Sequence, residues 1–255
     1  MQHILVAICA HCEVIGLREK RIVECIPDYI GNIRIGKLLV DDGSWDGTAE
    51  EAAAQGAHVI TLLHNQGKAD AMKHAFEFFL EGDCDALITM DADGQHDPAD
   101  LGRFCERLAS NDVVLGERYH PNSSRVGVPF DRELMNLMFA QTVSALTGRK
   151  FYDVLCGFRA FRRPVVEALQ SHLQLPEYGF ELETVMALCF PLGVTRVATI
   201  PISAVYTGTA ELAELYEYPD GQMAAKRRER VLTHFDQLQT LCERYGVKPG
   251  EASFV

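Results

Sequence analysis

The stretch Ala86-Leu87-Ile88-Thr89-Met90-Asp91-Ala92-Asp93-Gly94-Gln95-His96-Asp97-Pro98 decides the fold class. Ala86–Met90 is a short apolar and β-branched run that stops at acids and a glycine, the pattern of a fully buried strand. Side chains two apart on extended chain share a face, so Asp91 and Asp93 can converge on one hard cation and leave coordination positions for diphosphate oxygens and water. Oxygen ligands of this kind suit Mg²⁺ or Mn²⁺, with Gln95 or His96 as an auxiliary contact. The repeated D-x-D-G also reads as an EF-hand calcium loop, but such a loop needs flanking helices and a glutamate at its twelfth position. Position 102 is Gly, and the run before the acids is β-like. The remaining alternative is a solvated acidic turn.

Working outward, short β-type runs at Ile4–Ala10, Lys37–Val40 and His58–Leu63 precede this strand, and helical periodicity fills the gaps, most clearly over Ala49–Ala54 and Gly67–Leu80. Alternation of this kind predicts βαβ units and a parallel sheet. A helix over Asp100–Ala109 and a strand over Asp112–Leu115 follow, and the strand brings Gly116-Glu117-Arg118-Tyr119 to its end. His120–Arg132 reads as a loop and candidate lid, Glu133–Leu146 as an apolar helix. Further on come a short helix around Pro164–Leu173, the segment Tyr178–Cys189, a strand over Val194–Ile202, and an amphipathic helix over Met223–Tyr245.

In parallel α/β sheets, ligands sit beyond the carboxyl ends of the strands. Lys37–Val40 leads into Asp41-Asp42-Gly43-Ser44-Trp45-Asp46-Gly47-Thr48. A glycine turn with Asp46 or Thr48 capping the next helix accounts for much of this motif. It explains Asp41 and Asp42 poorly, because adjacent acids at a strand end repel each other unless something is bound. They are candidates for hydrogen bonds to a base or ribose.

Composition narrows the classes. A net charge of −12 argues against a nucleic-acid groove, while carboxylates gathered around a cation can still receive a pyrophosphate. The eight cysteines are scattered through apolar runs, which fits reduced thiols in a cytoplasmic protein. Cys9 and Cys12 form one C-x-x-C with no second pair to complete a zinc site. The apolar run Ile4–Ala10 is too short to span a membrane, so any membrane contact is expected to be peripheral.

Four motifs in order carry a resemblance: Asp41 through Thr48, Asn65-Gln66-Gly67-Lys68, Asp91 through His96, and Cys156-Gly157-Phe158-Arg159-Ala160-Phe161-Arg162-Arg163. From about residue 3 to residue 206 the chain resembles glycosyltransferase family 2, and within it the polyprenyl (dolichyl) phosphate sugar synthases. The resemblance implies an α/β protein of the GT-A fold, with a Rossmann-like, mostly parallel sheet flanked by helices. Residues 1–118 would form the nucleotide-sugar-binding half, 119–210 the acceptor-side half, and 211–255 a helical extension packed on the same domain. It implies that Asp42, with Asp41, contacts the nucleoside, that Asp91, Ala92 and Asp93 meet the metal and donor diphosphate, and that Gln95 joins the metal shell. Lys68 would lie near the donor, as would Ala10, Glu13 and Ser44, and Arg159 and Arg163 would neutralise the leaving diphosphate or an acceptor phosphate. The family usually opens with Pro-Ala-x-Asn-Glu after its first strand; here Cys9-Ala10-His11-Cys12-Glu13 retains only Ala10 and Glu13.

The implied activity is metal-dependent, inverting transfer of a sugar from a UDP- or GDP-sugar to an acceptor, with a polyprenyl phosphate at the membrane surface as one acceptor class. A hydroxyl acceptor would need a general base, for which Asp153, Glu181 and Glu183 are candidates; a phosphate acceptor is already a nucleophile. Glu181 and Glu183 also fit a helix start, where acids stabilise without catalysing. Lys226, Arg227, Arg228 and Arg230 read as a solvated helix face, with anionic lipid head groups as the alternative partner. Two other classes compete. A sugar nucleotidyltransferase would carry a glycine-rich basic loop where this chain has Cys9–Glu13, and a non-catalytic nucleotide-sugar sensor would bind without turnover.

Overall fold

The computed structural model describes residues 1–176, 179–206 and 223–247, with 223–227 by backbone alone. The sheet is built around β1 (His3–Ala10), which pairs in parallel with β3 (Ile33–Asp41) on one side and β5 (Ala86–Asp91) on the other. Residues 4–10 of β1 are all buried, with Ile4, Val6 and Ile8 in one core and Leu5, Ala7 and Cys9 in the other. A strand covered on both faces has no polar side to show, so its sequence reads as an unbroken apolar run.

Beyond β3 lie β2 (Tyr29–Ile30), antiparallel to its start, and β4 (His58–Thr61), parallel to its end. Beyond β5 the order continues through β8 (Arg159–Arg162), β6 (Val113–Glu117) and β9 (Val197–Pro201). β8 is antiparallel to both neighbours, which makes the sheet mixed. The register sets Ala10 opposite Asp41 and Cys9 opposite Asp91, so the carboxyl ends of β1, β3 and β5 lie level at one edge.

The helices are α1 (Val14–Lys20), α2 (Ile22–Cys25), α3 (Thr48–Ala54), α4 (Lys68–Glu81), α5 (Leu101–Leu108), α6 (Phe130–Thr147), α7 (Arg163–Gln170), α8 (Gly179–Cys189) and α9 (Met223–Arg244). Residues 179–188 of α8 are all buried, and Leu238 and Leu241 of α9 join the core that also holds Leu5. Several elements differ from the sequence expectation. β4 stops at Thr61, leaving Leu63 99% exposed. α6 begins at Phe130, inside the expected loop, because Pro129 takes an extended conformation ahead of the first turn. Within that loop β7 (Arg125–Val126) pairs with β10 (Ala204–Val205). Tyr178, Lys226 and Arg227 carried expectations that lie outside the described side chains.

Candidate active site

The 41–48 motif forms a clasp. Asp42 sits just past the end of β3 and accepts the backbone amides of Gln66 (2.7 Å) and Gly67 (2.8 Å), tying the entrance of α4 to the strand. Gly43 follows at φ +68°, where a Cβ would lie 2.5 Å from the backbone carbon of His64, so only glycine fits. Ser44 Oγ accepts the amide of Cys12 (2.8 Å), Thr48 Oγ1 that of Glu13 (2.9 Å), and Asp46 that of Val14 (3.1 Å). The turn after β1, whose sequence departs from the family pattern, is therefore held by the motif next to it, with Cys12 at φ 55°. Asp46 also accepts the amide of Thr48, while α3 has no side-chain cap of its own. Asp41 is 1% exposed; its Oδ1 accepts the Ser44 amide and its Oδ2 has no hydrogen-bond partner. A buried acceptor without a donor is rare in a folded protein.

The second cluster lies at the end of β5. Lys68, the first residue of α4, places its Nζ 2.6 Å from Asp91 Oδ1 and 2.7 Å from Glu181 Oε1. Burial works against the ammonium, but the two carboxylates outweigh it and hold the lysine above its ordinary pKa. Burial likewise opposes ionisation of Asp91, and the Lys68 ammonium overcomes it, holding the carboxyl well below the usual range. His96 is buried; its Nδ1 accepts the Asp91 amide (3.0 Å), and its Nε2 lies 3.6 Å from Cys156 Sγ and 3.8 Å from Asp91 Oδ2. Burial lowers its pKa, which favours the neutral ring that this bond requires. Asp93 Oδ1 accepts the amide of Gln95, whose side chain is nearly buried. Gly157 lies over the Asp91 carboxylate: a Cβ there would come within 2.8 Å of Oδ1 and 2.9 Å of Oδ2. The glycine thus keeps open the space in front of the acid.

Four expected site residues are engaged by other groups of the protein. Arg159 is 1% exposed and donates to the carbonyls of Cys156 (2.7 Å), Glu181 (2.6 Å) and Val154 (2.7 Å), bracing the floor of the site from within the protein. Arg163 lies at the other end of β5, where it binds the carbonyls of Phe79, Gly82 and Cys84. Glu183 accepts the amides of Gln174 and Leu175 (both 2.8 Å) and pairs with Arg244. Asp153 is held by Arg118, through Nε at 2.7 Å and Nη2 at 3.2 Å, and by the Arg118 amide. A carboxylate so fully engaged by a guanidinium is a poor general base. Of the three candidate bases, Glu181 alone faces Lys68 and Asp91. Ala10 ends β1 level with Asp41, and Glu13 contributes its backbone amide to the clasp.

Glu117 and Arg118 were visible in the sequence only as a charged pair at a strand end. Glu117 is fully buried, and burial raises its pKa to about 7, although the amide of Tyr152 donates to it at 2.8 Å. A carboxyl whose pKa rises on folding binds more protons folded than unfolded, so stability is greatest at low pH and falls as pH climbs from the unfolded value to about 7. Glu117→Gln is expected to flatten that fall, worth on the order of 3 kcal/mol between pH 4.5 and 7. Denaturant melts of both proteins across this range would check it, and parallel curves would refute it.

The donor set at Asp91 and Asp93 fits a hard divalent cation: oxygen ligands, one ionised acid at a strand end, and a space kept clear by Gly157. Among the described residues, the one cluster of three potential metal-ligating side chains is His3, Asp83 and Cys84, at the opposite end of β1 and β5. A cation at Asp91 and Asp93 would therefore complete its shell largely from bound ligand and water.

Solved structures share this fold over 97–98% of the chain. Glucosyl-3-phosphoglycerate synthase from Mycobacterium tuberculosis, solved with Mn²⁺, uridine diphosphate and glucosyl-3-phosphoglycerate, superposes with a TM-score of 0.65 at 19% identity, covering 98% of this chain and 82% of that one. The mixed sheet with its level carboxyl ends is thus a glycosyltransferase fold of the GT-A type. More specifically, the profile of Glycosyl transferase family 2 matches residues 6–170, and the chain belongs to that family. Its relatives include an undecaprenyl-phosphate mannosyltransferase from Micrococcus luteus, 29% identical over 72% of this chain and 79% of the relative. A polyprenol monophosphomannose synthase from Mycolicibacterium smegmatis is 32% identical over 63% of this chain, which spans 65% of that relative. Among the described residues, no helix is long and apolar enough to cross a membrane.

Proposed function

We propose that this glycosyltransferase transfers a sugar from a UDP- or GDP-sugar to a polyprenyl phosphate, with a divalent cation held by Asp91 and Asp93. The observation that carries the reading is the convergence of Lys68, Asp91 and Glu181 at the carboxyl end of β5, with Asp41 at the level end of β3 on the other side of β1. The unpartnered Oδ2 of Asp41 suits a ring N–H, which uracil and guanine both present. A bound cation would offset the charge that builds on the departing nucleoside diphosphate. Lys68, which pairs with both Asp91 and Glu181, would add a second positive charge near the donor. The clasp around residues 12–14 and the Asp42 bonds to the α4 entrance fix the backbone around these groups. The commitment of Asp153 and Glu183 to structural partners favours an acceptor that needs no strong base, as a phosphate does.

The test is incubation with Mn²⁺ and a panel of UDP- and GDP-sugars, with and without polyprenyl phosphate. Acceptor-dependent release of UDP or GDP is expected. Pyrophosphate release would identify a nucleotidyltransferase instead, and binding without release a sensor.

A further inference from the structure

Helix α6 is apolar on two opposite faces. Its inner face buries Asn136, Phe139, Ala140 and Val143. On the other side, Phe130, Leu134 and Met138 recur every four residues at 79%, 46% and 43% exposure. A surface helix normally turns its polar residues outward, so an uncovered second apolar stripe signals a partner. Beside it, α9 rests Phe235 on Phe139 with ring centroids 4.8 Å apart and leaves Leu232 exposed, one turn from the exposed Arg228.

The position of the stripe is informative. α6 starts just after β7, and its Asn136 binds both Arg118 and Tyr119, which continue the chain from the carboxyl end of β6. The stripe therefore lies on the far side of α6 from the segment that leads out of β6. Among the described residues, the exposed apolar side chains of this face, Phe130, Leu134, Met138, Leu232 and Phe235, fall well short of the roughly 20–30 residues a side of a stable protein–protein interface, whereas a few apolar anchors next to cations suffice for shallow insertion into lipid. Arg228 and Arg230 follow Lys226 and Arg227 in the sequence, giving the start of α9 a basic character unlike the acidic whole.

We infer that the outer face of α6, with the adjoining start of α9, docks on an anionic lipid bilayer and holds the site at the level where a lipid-borne phosphate emerges. This rests on the reading of a polyprenyl phosphate acceptor and adds the surface that delivers it. The decisive variant is the double Phe130→Ser/Leu134→Ser, which alters exposed residues outside the binding machinery.

Wild-type protein is expected to co-sediment with vesicles of phosphatidylcholine and phosphatidylglycerol in equal parts, less so in high salt, and the variant to bind at least about tenfold more weakly. In a Trp45→Phe background, the Phe130→Trp reporter should shift its emission to the blue when these vesicles are added. Turnover on a short, water-soluble isoprenyl phosphate should not change in the double variant, while turnover on vesicle-embedded acceptor should fall with binding. Equal vesicle binding by variant and wild type would overturn the proposal. So would a concentration-dependent dimer abolished by the variant, which would assign the face to a second copy. A marked drop in the variant's Tm would overturn it too, by showing that the stripe is packed within the protein. Turnover on the soluble acceptor with no wild-type vesicle binding would sink the surface alone; vesicle binding lost in the variant with no turnover on any lipid phosphate would sink the acceptor reading alone.

Discussion

Asp91→Asn is expected to lower kcat by about a thousandfold or more, equivalent to about 4 kcal/mol of lost transition-state stabilisation. Asparagine matches the shape of the acid and fits the space left by Gly157, so the effect isolates the charge. The wild-type carboxylate is ionised against the pull of burial because the Lys68 ammonium faces it. Its neutral replacement cannot anchor a divalent cation beside a diphosphate, and Lys68 keeps only Glu181 as its partner. Asp93→Asn should follow the same direction. The readouts are single-turnover transfer and the Mn²⁺-dependent affinity for UDP and GDP, set beside the melting temperature. If Asp91→Asn lowered Tm while turnover per folded molecule stayed intact, Asp91 would be a structural partner of Lys68, and the metal assignment would fall.

How far sequence reached depended on whether a residue's role is set by neighbours along the chain or across it. β1 and β5 announced themselves because strands covered on both faces must be apolar throughout. β8 did not: Arg159-Ala160-Phe161-Arg162 has a cation at each end, and only the gap between β5 and β6 makes it a strand. Asp41 and Asp42 are adjacent, yet one offers a buried oxygen without a partner while the other is taken up by amides from residues 66 and 67. Nothing local could divide them. Glu181 and Glu183 stand two apart on α8, about 200° around the helix, so one meets Lys68 and the other turns to Leu175 and Arg244. Arginines in a phosphate-handling motif invite a phosphate contact, but a guanidinium satisfies carbonyl oxygens equally well, and the choice depends on which backbone comes near.

Arg159 puts that distinction to an experiment. Arg159→Met is expected to destabilise the protein by about 3–5 kcal/mol, because it removes a buried cation and leaves the carbonyls of Val154, Cys156 and Glu181 without their donor. In a domain of this size that corresponds to a Tm lower by about 10 °C. Arg159→Lys should lie between, since one ammonium on a flexible stem cannot span carbonyls from three directions. The same bonds predict where the damage spreads. Residues 154–156 lead to Gly157 over Asp91, and the Glu181 carbonyl sits on the residue that faces Lys68. Loosening them should therefore raise KM for the donor modestly at temperatures where the variant is folded, with kcat little changed. Urea melts together with kcat and KM at low temperature give the decision. A Tm unchanged alongside a hundredfold fall in kcat would mean that Arg159 reaches the leaving diphosphate after all, and the brace described for it would be wrong.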